Sequence, residues 1–363
     1  MTERILASCS PGEVRIAVLC NDELSDYAIW RPGAPNGVGD LCRGRVTARV
    51  AAMAGSFVAL DNSEGFLPDS DGGAGLHEGD IVPVRVTRAA QGGKGPRLTA
   101  RLTEDEVPPA RGVGPLVELA RRYPAAPVLV DDAGLAARLR PALGNRLEIA
   151  IRAFDDELEE VLEALSQPEI ATSSGARLRI HPTPALVAID IDAGGAVTRR
   201  QGKAAAHLAA NLAALPTLAR QIRLRNLSGA ILVDFAGMPA RRRASLAPPL
   251  GAALADDPLR PRLLGFTALG LAEIVRPRVY PALHEVLAGP HAVGLAALRR
   301  ILSEIIAAPH RRVALRASPA VMAALQDDPE ALHDLARRTG RPLILRPDAN
   351  LSPSEWIIEA SDA

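Results

Sequence analysis

Lysine is almost missing from this chain: Lys94 and Lys203 are the only two, and arginine supplies the rest of the basic charge. Aromatic residues are scarce too, at 3% of 363 residues, so the apolar 48% is mostly Ala, Leu and Val and the cores must be aliphatic. Formal net charge is zero. That excludes nucleic-acid binding through overall basicity and leaves only local patches for such a role. Cys9, Cys20 and Cys42 are the only cysteines, odd in number and without C-x-x-C spacing. A disulfide framework is thereby excluded, and they read as buried thiols in a reducing cytoplasm. The opening Met1-Thr2-Glu3-Arg4 lacks the apolar run of a signal peptide. The longest uncharged stretch, residues 204–219, carries His, Asn, Pro and Thr, so no membrane span is expected.

What is present organises into several segments. Residues 4–9, 13–19 and 27–30 read as strands, followed by the Pro/Gly-rich boundary Pro32-Gly33-Ala34-Pro35-Asn36-Gly37. From Gly39 to about Leu102, short β segments separated by glycines predict a small barrel, with Pro83 on an edge or bulge. Residues 105–165 read as a compact α/β piece. A strand over 185–192, a helix over 203–224 and a strand over 230–234 then form a βαβ unit. Beyond it come helices near 241–254 and 269–276 flanking a strand near 262–267. The tail from Val293 reads as a small αβ domain with strands at 312–317 and 342–346.

In the first strand of the βαβ unit, period two puts Asp190 and Asp192 on one face and Val187, Ile189 and Ile191 on the other. The second strand, Ile231-Leu232-Val233-Asp234, also ends in Asp. If the two strands are neighbours, roughly 4.8 Å apart, Asp190 and Asp234 converge at the carboxyl edge where α/β proteins bind ligands. Such carboxylates repel unless a cation intervenes, and Mg²⁺ takes one or two carboxylates with waters and a phosphate oxygen. The competing reading is that these aspartates cap the turns that follow them.

The stretch Pro184-Ala185-Leu186-Val187-Ala188-Ile189-Asp190-Ile191-Asp192 resembles the active-site strand of the ribonuclease E/G family, where Ala-Ile-Asp-x-Asn is usual. Asn211-Leu212-Ala213-Ala214, the run from Ala219 to Gly229, and Ile231-Leu232-Val233-Asp234-Phe235 continue the resemblance in order. Upstream, Gly44-Arg45-Val46-Thr47, Gly65-Phe66-Leu67-Pro68 and Gly92-Gly93-Lys94-Gly95 are similar to the family's inserted S1-type oligonucleotide-binding barrel.

The resemblance implies an α/β multidomain fold with an S1-type OB barrel inserted in an α/β, nuclease-H-like domain. A DNase I-like catalytic domain and a small αβ C-terminal domain follow. The implied boundaries are 1–38 (β segment), 39–104 (barrel), 105–165 (shortened nuclease-H-like region), 166–288 (catalytic) and 289–363 (C-terminal). It further implies a cytoplasmic, Mg²⁺-dependent endoribonuclease acting on single-stranded RNA. Asp190 and Asp234 would hold the metal, with Asp192 as a third catalytic carboxylate. Phe57, Phe66 and Lys94 would bind RNA on the barrel, Phe57 having a core position as its alternative. Arg220, Arg223 and Arg225 either reach phosphate or complement the helix dipole. Arg241-Arg242-Arg243 is a solvated face or a phosphate contact.

Four departures qualify the resemblance. Asp192 stands where Asn is usual, and Arg200-Gln201-Gly202-Lys203 replaces an acidic motif. No cysteine falls near Leu287-Ala288-Gly289-Pro290-His291, so no structural zinc and no zinc-linked tetramer are expected, while a homodimer stays open. Residues 105–165 are too few for the 5′-sensor region, so cleavage should ignore the RNA 5′ end. The alternative is a non-catalytic RNA-binding protein with a degenerate site.

Overall fold

The computed structural model describes residues 2–61, 63–102, 114–172, 175–194 and 203–360. Strands β1 (Glu3–Ser10), β2 (Glu13–Cys20) and β3 (Glu23–Trp30) form an antiparallel meander. Next come β4 (Leu41–Val50), β5 (Gly55–Ala59), β6 (Glu64–Pro68), β7 (Ile81–Arg88) and β8 (Arg97–Thr99), a closed barrel in the order β4-β5-β6-β8-β7. Alternate side chains fill it: Val46, Val58, Leu67, Val84 and Leu98 are buried to within 1% of complete. Pro83 pairs only with Arg43 of β4, in the part of β7 that extends beyond β8, so its missing N–H breaks no ladder there.

Helix α1 (Gly114–Arg122), β9 (Val128–Val130), α2 (Ala133–Leu143) and β10 (Leu147–Ile149) return the chain to the first sheet, whose order is β10-β9-β1-β2-β3. Here β9 runs parallel to both β1 and β10. Asp132 starts α2 by accepting the Leu135 N–H, as Asp does at an N-cap. Helix α3 (Asp156–Ala164) follows, with Asp155 capping its first turn through the Leu158 N–H.

The six-stranded sheet comprises β11 (Glu169–Ala171), β12 (Arg177–Pro182), β13 (Val187–Asp192), β14 (Gly229–Asp234), β15 (Arg262–Phe266) and β16 (Ala272–Arg276). Its order is β11-β12-β13-β14-β16-β15. Helix α4 (Lys203–Leu224) crosses between β13 and β14, as the sequence predicted, and α5 (Ala240–Arg243) and α6 (Ala247–Leu254) follow β14. Ile189, Ile231 and Val233 pack with Leu215, Leu218 and Ile222 of α4, each at most 2% exposed. Burying side chains of this size is worth about 1.5–3 kcal/mol apiece.

The helix expected over 269–276 is instead β16. Ala272, Ile274 and Arg276 are buried in alternation, the period of a strand, and Gly270 at φ +87° turns the chain into it from β15. Strands β11 and β12 were not anticipated.

The chain closes with α7 (Leu283–Ala288), α8 (Pro290–Ala307), β17 (Val313–Ala317), α9 (Pro319–Gln326), α10 (Pro329–Thr339), β18 (Ile344–Pro347) and β19 (Trp356–Ala360). The last sheet has the order β18-β17-β19, and β19 too went unseen in the sequence. The fold divides into two units. Unit 1 holds residues 1–35, 110–159 and 284–363; unit 2 holds 36–109 and 160–283. Within unit 1, Glu13 is 3% exposed and ion-paired to Arg31 and Arg299, while Arg15 grips Glu159 with both terminal nitrogens. No helix among the described residues is long and apolar enough to cross a membrane.

Candidate active site

Strands β13 and β14 are parallel neighbours, and the register pairs Asp190 with Asp234. Both carboxylates stand on the face away from Ile189 and Val233, about half exposed at 49% and 51%. The convergence expected from strand periodicity is therefore present. Two carboxylates on strands roughly 4.8 Å apart suit a hard divalent cation, which completes its shell with water.

Asp192 does not join them. It lies one pleat further along β13, roughly 6.6 Å on, and its Oδ1 accepts the Gly194 N–H at 3.1 Å. That is a turn-capping role for this aspartate. Among the described residues no group of three His, Cys, Asp or Glu side chains is placed to hold a metal. The site is a pair.

Each carboxylate faces an arginine. Arg243 Nη1 donates to Asp234 at 2.5 Å and to the Gly270 carbonyl at 3.1 Å, while its Nε donates to Met238 O. So one member of the Arg241-Arg242-Arg243 run is folded inward, and Arg241 and Arg242 remain exposed. Arg179 of β12 lies 3.5 Å from Asp190 Oδ2 and 4.0 Å from Asp192 Oδ2. Its pKa is raised, first by the hydrogen bond to Glu169 and then by the nearby aspartates. Neither Arg179 nor Arg243 was picked out from the sequence as a partner of the aspartates.

The loop leaving Asp234 is held from α4. Asn211 is fully buried, its Nδ2 donating to Ala236 O at 3.0 Å and its Oδ1 accepting the Ala236 N–H at 3.1 Å. Gly237 follows at φ +58°, and a Cβ there would lie within 2.5 Å of the His207 ring. The chain can turn under His207 only without a side chain. Beyond it opens a cleft of about 360 Å³ walled by Leu208, Met238 and Pro239 and edged by Arg241 and Arg242. The basic substitution noted at 200–203 lies outside the described residues, apart from the backbone of Lys203.

Arg220, Arg223 and Arg225 sit elsewhere. A crossover helix runs back along its sheet, so the last turns of α4 lie at the end remote from the aspartate pair. Arg220 and Arg223 are half-buried and each has a partner. Arg225 is 6% exposed, donating to Gln221 Oε1, Gln167 O and Ala164 O. Burial removes it from the expected phosphate contacts.

On the barrel, Phe57 and Phe66 are cross-strand partners with ring centroids 5.6 Å apart in an edge-to-face arrangement. Both lie on the outer surface, since their neighbours Ser56, Val58 and Leu67 point inward at 0% exposure. The core alternative for Phe57 is thereby set aside. Lys94 is exposed at the tip of a Gly92-Gly93 turn with positive φ at both glycines.

These features define an α/β protein with a carboxylate pair at the carboxyl edge of its central parallel strands and a separate small β-barrel. The Ribonuclease E/G family model matches residues 139–279, the segment that carries both aspartate strands. A chloroplastic ribonuclease E/G-like protein of Arabidopsis thaliana is 34% identical over 178 residues, 46% of this chain and 18% of that protein. Ribonuclease G of Escherichia coli K12 is 34% identical over 197 residues, 50% of this chain and 39% of its own length. Ribonuclease E of Nostoc is 37% identical over 127 residues, 35% of this chain and 18% of the relative. The matches thus span 18% to 39% of these relatives.

Proposed function

We propose that this chain is an endoribonuclease that cleaves single-stranded RNA at a Mg²⁺ held by Asp190 and Asp234, in the cytoplasm. The observation that carries the reading is the register pairing of those two residues at the ends of parallel strands, inside the segment matched by the family. The exposed carboxylate pair suits the cation chemically, with Arg179 and Arg243 as the groups that would have to yield ground. A bound Mg²⁺ would supply Lewis acidity and an activated water.

The chain's own residues would do the rest. Asn211 fixes the segment after Asp234, and Arg241 and Arg242 offer forked donors to phosphate oxygens. Phe57 and Phe66 would stack bases, at about 1–3 kcal/mol each, with Lys94 adding charge. The sheet order β10-β9-β1-β2-β3 supports reading the first α/β layer as nuclease-H-like, and the closed barrel supports an S1-type OB domain. In that layer Asp131 accepts the backbone N–H groups of Cys9 and Ala153, and Asp132 caps α2 and pairs with Arg338, so both have structural roles. Indifference to the RNA 5′ end is part of the reading.

One observation favours the alternative, a non-catalytic RNA-binding protein: both aspartates already face guanidinium groups. The test is incubation of labelled single-stranded RNA and Mg²⁺ with the wild type and with an Asp190→Asn, Asp234→Asn double variant. Cleavage by the wild type alone is the expected result, at equal rates on 5′-triphosphate and 5′-monophosphate substrates. Cleavage by both proteins would sink the paired-aspartate site, and binding without cleavage would select the alternative.

A further inference from the structure

Four barrel strands carry a continuous row of side chains on the outer surface. Phe57 of β5 pairs with Phe66 of β6, and Phe66 pairs with Arg97 of β8. Arg97 pairs in turn with Arg88 of β7. Simple alternation from the buried Val82, Val84 and Val86 would turn Arg88 inward. A bulge prevents this. The register shifts between Val86 and Arg88, Thr87 is the extra residue, and Arg88 emerges beside Arg97.

The row continues onto the six-stranded sheet of the same unit. The Ala89 N–H, next to Arg88, donates to Val279 O at 2.9 Å and joins β7 to the segment after β16. There the Arg278 guanidinium lies over Gly229, so close that a Cβ would stand 2.5 Å from its Nε. Among the described residues, the buried Nε of Arg88 finds no hydrogen-bond partner. Its pKa is held below the ordinary arginine value, first by partial burial and then by Arg97 and Arg278. Arg97 is paired with Asp71, whereas among the described residues no carboxylate answers Arg88 or Arg278.

Like charges gathered around an unsatisfied N–H are unfavourable until an anion arrives. Two rings followed by three guanidiniums on one surface suit one polymer, a single strand whose bases stack and whose phosphates are neutralised. We propose that Arg88, Arg97 and Arg278 form a phosphate-binding seam that carries an RNA strand from the Phe57–Phe66 platform onto the six-stranded sheet. The inference rests on the RNA-binding reading above. The seam lies at the Gly229 end of β14, so a strand held there runs the length of β14, roughly 17 Å, before reaching the aspartate pair.

The experiment is the affinity of a fluorescein-labelled oligouridylate for the wild type, Arg88→Gln, Arg278→Gln and the double variant, across KCl concentrations from about 50 to 200 mM. Each lost phosphate contact should flatten the plot of log affinity against log salt by about 0.7. The double variant should therefore lose about 1.4 of slope and bind severalfold more weakly at low salt. Arg88→Lys should recover slope, and Phe57→Ala should weaken binding without changing it. Melting temperatures of the glutamine variants should equal or exceed the wild type's, because repulsion is relieved. Wild-type binding with unchanged slopes in the variants overturns the seam alone. A wild type that binds no oligouridylate overturns both the seam and the RNA reading.

Discussion

Replacing Arg225 by Met should weaken folding and leave RNA affinity alone, although the residue stands in an arginine-rich helix end. Methionine keeps much of the apolar stem and removes all the donors. Three hydrogen bonds disappear, to Gln221 Oε1 at 2.8 Å, Gln167 O at 2.7 Å and Ala164 O at 3.3 Å. Bonds from a charged donor contribute about 1.5–3 kcal/mol each, or about 5–9 together. Against this stands the cost of burying the charge, since desolvation holds the guanidinium pKa at about 10, well below the ordinary arginine value. At 1.36 kcal/mol per pKa unit that cost is about 3 kcal/mol. The net loss should be about 2–6 kcal/mol. Both tryptophans, Trp30 and Trp356, lie in unit 1. The measurement is therefore urea unfolding followed by circular dichroism, with hydrogen exchange read on the α4 amides. An unchanged midpoint together with weaker RNA binding would refute the reasoning and return Arg225 to the RNA contacts.

Asn211→Ala removes both bonds to Ala236 and should cost about 1–3 kcal/mol, read as a lowered urea midpoint. Gly237→Ala should cost about 1–2 kcal/mol for its positive φ and a further 1–3 or so for the collision with His207. Adding His207→Ala should recover only the second part, so a double variant no more stable than Gly237→Ala would refute the steric account. Cys9 should resist iodoacetamide until the protein unfolds, because burial first, and then Asp131 and Asp132, raise its thiol pKa. A raised acid pKa stabilises the fold below the unfolded value near 8.5, so this contribution should fade as pH rises above about 9. Phe66→Ala should weaken binding of single-stranded RNA by roughly 5- to 150-fold, the equivalent of about 1–3 kcal/mol of stacking.

The β13–α4–β14 unit was legible in the sequence because every level agreed. Ile189 and Ile191 alternate with Ala188, Asp190 and Asp192, Ile231-Leu232-Val233 is a short apolar run ending in Asp, and the helix between them is long and alanine-rich. Period two placed Asp190 on the polar face of its strand, but its meeting with Asp234 depended on the two strands being neighbours. β16 was misread because Leu271, Ile274 and Val275 also fit a helical spacing, and only pairing with β14 and β15 decides between the two. β12 alternates as well, but it is short, charged and ended by Pro182. The pairing of Arg179 and Arg243 with the aspartates escaped notice for a different reason. A guanidinium reaches its partner through sheet register or loop folding, and neither leaves a spacing to read. Arg225 looked exposed because it follows the last turn of a helix, yet the chain that buries it, from Ala164 to Gln167, is remote in sequence.

The nested path of the chain sets a timetable for synthesis. Unit 1 opens with β1, whose Cys9 amide is bonded to Asp131, 122 positions later. Glu13 waits still longer for Arg299, 286 positions on. At ribosomal speeds of 5–20 residues per second, that carboxylate stays without this partner for roughly 15–60 s. The barrel of unit 2 closes from strands that leave the ribosome consecutively. A released fragment ending before Val128 should already hold a protease-resistant barrel, while its first three strands remain cleavable. Cleavage of both alike would show that the two fold together.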